Sequence, residues 1–319
     1  MIRLATIGTS SITRTLATAV AQTDGIQIDV VYSRDAERAA ALAIDLRAPE
    51  SSSDLTAMLA REDLDAVYIA SPNSLHAQHA SAAIGAGKHV LLEKPAAPSA
   101  TEWAELVGHA QAAGVVLLEA MRTAYDPGLQ AVRQLLPELG RLRRVSFRYE
   151  QRSSRYANVL AGERVNIFDP AMAGGALYDL GVYCIHPLIS LFGEPSRVVG
   201  ESVLLDTGAD GAGVALAVYP DFIADLSYSK ITSSELPSEI QGEDATLTID
   251  QIASPRLLRL ARRDGQVTEH QVTGPPQHGL HGEVAHFVRL IEAGESAARD
   301  QTLTLQTLRV IDQLRAARV

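Results

Sequence analysis

Within the first 120 residues, five short apolar runs at 2–7, 28–32, 66–70, 89–92 and 115–118 alternate with stretches of helical spacing at 13–22, 36–45, 55–61, 76–86 and 101–113. That rhythm restricts the fold severely. Neighbouring strands that run in the same direction need long crossovers, usually helices, so the alternation predicts βαβ units and a parallel sheet. The expected first domain, residues 1–122, is a doubly wound α/β domain of the Rossmann type. After Met121 the pattern changes. Strand-like segments at 198–204, 213–217, 223–228, 239–242, 245–249 and 257–261 follow one another without helices between them, which predicts a large, open and mostly antiparallel sheet. Residues 123–319 are expected to form this α+β domain, serving substrate and oligomerisation, with the C-terminal helix packing back on the first domain.

Composition excludes several functions. The chain has 319 residues, a formal net charge of −10 and no block of arginine or lysine, so nucleic acid is a poor partner. No window of about 18 uninterrupted apolar residues occurs, and no membrane association is expected. The lone cysteine, Cys184, forbids an intrachain disulfide framework and fits a reducing, cytoplasmic setting.

Gly8 closes the first apolar run and opens the loop Gly8-Thr9-Ser10-Ser11-Ile12-Thr13, where a dinucleotide-binding glycine fingerprint would sit. Only the first glycine is present. A small residue at Ser10 still allows close backbone approach, and the N–H groups of a following helix would stabilise a pyrophosphate. The second run ends Tyr32-Ser33-Arg34, with Arg38 one helical turn further on. An acid at this point would hold a ribose 2′-hydroxyl, whereas a hydroxyl and a guanidinium accept a 2′-phosphate, so NADP is expected in preference to NAD.

In a doubly wound fold, ligands bind outside the carboxyl ends of the strands. Two polar segments follow such ends: Ser71-Pro72-Asn73 with His76, and Glu93-Lys94-Pro95. Lys94, set between an acid and a proline after an apolar strand, is poorly placed for free solvation and is the first catalytic candidate. A third segment runs Gly174-Gly175-Ala176-Leu177-Tyr178-Asp179-Leu180-Gly181-Val182-Tyr183. If it is α-helical, Asp179 and Tyr183 stand at i and i+4 on one face, with His186 close to the same stripe.

The joint pattern resembles the Gfo/Idh/MocA family of glucose–fructose oxidoreductase, inositol dehydrogenase and dihydrodiol dehydrogenase relatives. The likeness spans the nucleotide loop, Tyr32-Ser33-Arg34, Ser71-Pro72-Asn73 with His76, Glu93-Lys94-Pro95 and the glycine-rich segment ending in Tyr183. The resemblance implies an NAD(P)-dependent dehydrogenase or reductase acting on a sugar, polyol or cyclic diol, with no metal. It assigns Lys94 and Tyr183 to the reacting alcohol and Asp179 to substrate positioning. Tyr183, its phenol acidified by Lys94, would act as base in oxidation and acid in reduction. A nucleotide-binding sensor of the same fold that has lost turnover is the alternative. Many relatives carry histidine where this chain has Tyr183, so substrate does not follow by analogy.

The run His278-Gly279-Leu280-His281-Gly282-Glu283-Val284-Ala285-His286 has spacings that a zinc site can use, but it reads more plainly as a helix packing face. Apolar strands such as 223–228 need a cover, which predicts a homodimer or homotetramer through the C-terminal sheet.

Overall fold

The computed structural model describes residues 1–274 and 279–316. The chain divides into two compact units, Met1–Arg122 with His278–Leu305, and Thr123–Gln277 with Gln306–Val319.

In the first unit the chain runs β1 (Ile2–Ile7), α1 (Ser11–Val20), β2 (Ile26–Tyr32), α2 (Ala36–Leu46), β3 (Glu50–Ser52) and α3 (Leu55–Leu59). It continues through β4 (Ala66–Ile69), α4 (His76–Gly85), β5 (His89–Glu93), α5 (Ala100–Ala113) and β6 (Leu117–Ala120). The six strands lie in the order β3-β2-β1-β4-β5-β6 and every pair is parallel. This is the doubly wound Rossmann arrangement. Strands β1, β2, β4, β5 and β6 are mostly apolar because helices cover both faces, and β4 is buried at all four positions. The chain order reverses at β1, and Gly8 stands at that point.

In the second unit, α6 (Pro127–Leu135), β7 (Leu142–Glu150), α7 (Tyr156–Leu160) and α8 (Val182–Phe192) precede a run of strands. These are β8 (Arg197–Leu204), β9 (Asp210–Val218), β10 (Ile223–Ser229), β11 (Ser238–Gly242), β12 (Ala245–Ile249), β13 (Leu257–Arg262) and β14 (Val267–Gln271). With β7 they form one eight-stranded sheet ordered β14-β13-β12-β11-β7-β10-β9-β8, antiparallel except where β10 pairs parallel with β7. Alternation is plain in β9 and β12, where buried and less buried residues follow in turn. The buried face carries Val145, Phe147, Leu226 and Tyr228 against α8.

The helix α9 (His281–Ala293) belongs to the first unit and joins the core of β1 and α1 through Leu280, Val284 and Phe287. It is followed by α10 (Ala298–Ala316). Two strands, β3 and β14, have no counterpart in the sequence reading.

The stretch Pro170–Phe192 is long and apolar enough to cross a bilayer by length and composition, yet 78% of its most apolar window is buried inside the protein. Its apolarity serves the interior of the second unit. Within it Leu177–Gly181 is a π-helical turn, which corrects the expectation of a continuous α-helix. At Gly181 an added Cβ would come 3.2 Å from the Tyr228 ring, so the wider turn and the small residue let this segment lie close on β10.

Candidate functional site

The first polar group of candidates surrounds the carboxyl ends of β1, β2 and β4. Gly8 has φ +116°, and a Cβ there would run into the Ala70 carbonyl, so only glycine lets the loop turn against the end of β4. The Gly8 carbonyl accepts from Thr13 Oγ1 at 3.1 Å, which braces the loop Thr9-Ser10-Ser11-Ile12. Ser10 is the N-cap of α1 but makes no side-chain cap, leaving the first-turn N–H groups facing out of the loop without a hydroxyl partner at the cap. Such an end accommodates a phosphate.

At the end of β2, Asp35 is the N-cap of α2: its carboxylate accepts from Arg38 N at 3.1 Å, and Arg38 Nε lies 3.2 Å from its other oxygen. Asp35 N in turn donates to Ser33 Oγ at 3.2 Å. The acid is therefore turned into the helix and met by Arg38, while Arg34 is exposed and its charge reaches His79, whose pKa burial and Arg34 both lower. His79 Nδ1 is 3.0 Å from Ser71 Oγ, so Ser33, Arg34 and Ser71 share one end of the sheet.

His76 opens α4 and is 1% exposed. Its two ring nitrogens meet the carbonyls of Pro95 at 2.8 Å and Ser71 at 2.9 Å. It therefore sits between the Ser71-Pro72-Asn73 turn and the segment after Lys94, donating to one carbonyl when neutral and packing against the other. Burial outweighs these carbonyls and pushes the imidazole down to about 4, so it is neutral at physiological pH.

Lys94 follows β5 directly and is half-buried. Behind it lie buried acids. Glu93 accepts from Tyr68 Oη at 2.6 Å and from Lys94 N at 3.2 Å. Glu119 on β6 accepts from Ala96 N at 3.0 Å and from Thr304 Oγ1 at 2.8 Å. Burial raises both carboxyls above the usual range, although the charge of Lys94 works in the other direction on each. A third acid, Glu283 on α9, is fully buried, and neither of its oxygens has a hydrogen-bond partner among the described residues. Burial first, then Glu93 and Glu119, push it well above the usual range, with Arg122 opposing. Sequence reading placed Glu283 in a metal-like run and missed this cluster, because a buried acid and a solvated one are written with the same letter.

The remaining members of that run have other partners. His281 Nε2 is 2.7 Å from Gln22 Oε1, and His286 Nε2 is 3.1 Å from Asp300. His278 lies outside the described residues. Among the described residues no three His, Cys, Asp or Glu side chains form a group that could hold a metal ion.

In the second unit, Asp179 lies in the π-helical turn and keeps about 39% of its side chain exposed. Tyr183, one residue into α8 and 6% exposed, packs edge-on against Tyr149 of β7 with ring centroids 5.5 Å apart. Lys230, just past β10, meets Asp179, its Nζ donating to Oδ2. Sequence reading did not find Lys230, since a lysine after a strand reads as a solvated end. Cys184 is fully buried, 3.7 Å from the Ser227 carbonyl, and burial pushes its thiol up, away from nucleophilic use.

Residues 2–121 match an oxidoreductase family with an NAD-binding Rossmann fold, and residues 129–248 match the GFO/IDH/MocA C-terminal domain. The scyllo-inositol 2-dehydrogenase (NADP(+)) of Bacillus subtilis is 40% identical over 99% of this chain and 96% of its own length. A D-xylose 1-dehydrogenase (NADP(+)) of Haloferax volcanii is 30% identical, covering 89% of this chain and 87% of its own length. Among solved structures, a 3-ketoreductase from Actinomadura kijaniata in complex with NADP and TDP-benzene superposes with a TM-score of 0.89 at 23% identity, covering 99% and 98% of the two chains. That last likeness concerns the fold. With a matched family over both domains and a relative of this identity along nearly the whole chain, the protein belongs to the Gfo/Idh/MocA family and is an NAD(P)-dependent oxidoreductase.

Proposed function

We propose that this enzyme prefers NADP to NAD and interconverts a secondary alcohol and its ketone on a polyol, sugar or cyclic diol. When bound, the nicotinamide supplies or accepts the hydride at C4. Dinucleotide binding is assigned to residues 1–122 and substrate binding to residues 123–319. The loop Gly8, Thr9, Ser10, Ser11 and Ile12 would take the pyrophosphate on the uncapped start of α1. Ser33, Arg34 and Arg38 would take the 2′-phosphate; Arg34 is the freer charge, since Arg38 is engaged by Asp35. Ser71, Pro72, Asn73, Glu93 and Lys94 complete the dinucleotide end, with His76 set between two of these segments.

The chemistry is assigned to three side chains. Tyr183 Oη accepts the hydroxyl proton during oxidation and returns one during reduction, a role that typically contributes 10²–10⁴-fold. The Lys94 ammonium is assigned to the same reacting alcohol, whose deprotonated oxygen its charge favours. Asp179 accepts hydrogen bonds from substrate hydroxyls. What carries the reading is Lys94 itself: a half-buried ammonium at the carboxyl end of a strand in an NAD-binding sheet, backed by two buried carboxyls.

The exposed face of the second sheet supports pairing of two copies. Val199 sits beside Leu216, Glu201 beside Val214, and Ile223 lies on the next strand, all of the apolar ones exposed. An apolar stripe of this kind on a sheet face is commonly covered. The buried free thiol of Cys184 supports a reducing compartment, the cytoplasm.

The test is absorbance of the reduced nicotinamide during incubation with NADP⁺ or NAD⁺ and a panel containing scyllo-inositol, myo-inositol and D-xylose. NADP⁺ reduction with at least one polyol is expected. A protein that binds the cofactor and turns over none of them in either direction overturns the assignment. Leu216→Glu should lower the mass measured by sedimentation; an unchanged mass removes the sheet face from the assembly.

A further inference from the structure

Lys230 is 2% exposed; its ammonium donates to the Asp179 carboxylate and lies 5.0 Å from the centroid of the buried Phe168 ring. Its backbone is fixed on both sides: the N–H donates to Gly211 O at 2.8 Å and the carbonyl accepts from Ser153 N at 2.8 Å. The pair is lopsided. The cation is enclosed, whereas its acid is over a third exposed and stands in the π-helical turn that opens α8.

Burying an ammonium costs several kcal/mol before any partner is counted, and exchanging a buried ion pair for apolar side chains is often neutral or stabilising. Stability alone is therefore a weak reason for a lysine here. An aromatic face beneath the ammonium and a backbone pinned by two hydrogen bonds leave Nζ few positions. A carboxylate gripped from the inside by such a donor loses rotational freedom on the side that faces out.

We propose that Lys230 is a positioning residue for substrate: it holds the Asp179 carboxylate from beneath in one orientation, so that the exposed part meets a fixed pair of hydroxyls on a neutral polyol. The inference rests on the assignment of Asp179 to substrate binding. It makes substrate affinity depend on a residue that touches neither substrate nor cofactor.

The experiment is a double-mutant cycle on the full-length protein with Lys230→Met, Asp179→Asn and the combination, assayed with NADP⁺ and the best polyol of the panel. Lys230→Met, one atom shorter and uncharged, should raise KM about 10–100-fold, the worth of a charge-assisted hydrogen bond. Its kcat should fall much less, and the dissociation constant for NADP⁺, read by fluorescence titration, should stay within about twofold. The combined variant should be no worse than Asp179→Asn alone, because the lysine acts through the acid. A folded Lys230→Met protein with wild-type KM, or losses that simply multiply in the combined variant, overturns the proposal. If Lys230→Met gives no cooperative melting transition, Lys230→Gln takes its place in the cycle with the same two outcomes decisive. A wild-type protein that turns over no polyol defeats the functional reading and this inference with it; an active wild type beside an indifferent Lys230→Met defeats only the inference.

Discussion

The hydroxyl of Tyr68 on β4 donates to Oε1 of Glu93 on β5 across 2.6 Å, in the buried middle of the parallel sheet and one residue before Lys94. A hydrogen bond offsets part of the cost of burying a carboxyl oxygen. Tyr68→Phe removes the donor and leaves the ring. The expected loss is about 1–3 kcal/mol of stability, with a drop of a few degrees in melting temperature by calorimetry. A melting temperature equal to wild type would show that this hydrogen bond is dispensable to the sheet.

Lys94→Ala should lower kcat by about 10²-fold or more while the NADP⁺ dissociation constant changes less than about threefold. Steady-state rates and fluorescence titration on the same preparation separate the two. Equal damage to both would make Lys94 a cofactor ligand and not a participant in proton transfer.

Arg34→Ala should weaken NADP⁺ by about 10–100-fold and leave NAD⁺ within about twofold, because only the former carries the phosphate that the guanidinium meets. Arg38→Ala should cost less, its charge being shared with Asp35. Competition titrations with both cofactors decide it, and parallel losses for NAD⁺ and NADP⁺ are the contrary result.

Glu283 gives a pH prediction whose sign can be worked out. The folded protein holds its proton well above 4.5, whereas the unfolded chain releases it near 4.5. Folding stability therefore falls as pH rises from about 4.5 towards the folded value. Glu283→Gln mimics the protonated acid and removes that slope. Its melting temperature should exceed that of wild type by a margin that widens as the pH increases from 5 to 8, over whatever slope Glu93 and Glu119 retain. A constant difference across that range would mean that Glu283 is not held neutral.

His76 works in the opposite direction. It titrates near 4 when folded, against 6.5 for an unperturbed imidazole, so the unfolded chain takes up the proton first on acidification. Stability is lost as pH falls from about 6.5 to 4, on the order of 3 kcal/mol in full. His76→Gln keeps a donor and an acceptor without titrating, and its melting temperature should decline less steeply over that window. Identical acid profiles would be the adverse outcome.

How much of this was legible in the sequence depends on what each residue signals by itself. The parallel sheet was readable because β1, β2, β4, β5 and β6 are mostly apolar and separated by helix-length stretches. The short strand β3, Glu-Ser-Ser, pairs through its backbone with Val30, Val31 and Tyr32 and has no apolar signature. The edge strand β14, Val-Thr-Glu-His-Gln, has no fully buried residue, so its pattern looks like loop. The glycine-rich segment pointed to Asp179 and Tyr183, but not to the π-helical turn: its residues are nearly all apolar, and no periodicity separates one helical pitch from another. Lys230 and Glu283 were invisible for a common reason. Each is a charged residue type whose burial is decided by chain segments about 50 to 190 residues away, Asp179 for one and the Glu93 strand for the other.

The parallel contact between β7 and β10 has a practical implication for redesign. Both strands finish at the same border of the sheet, so the segments that leave them, which begin Gln151-Arg152-Ser153 and Lys230-Ile231-Thr232, emerge side by side, joined by the bond from Ser153 N to Lys230 O. Grafting these two excursions together from a relative of different selectivity would exchange one contiguous surface, while the strands beneath keep their pairing. Transplanting either alone would exchange only half of that surface.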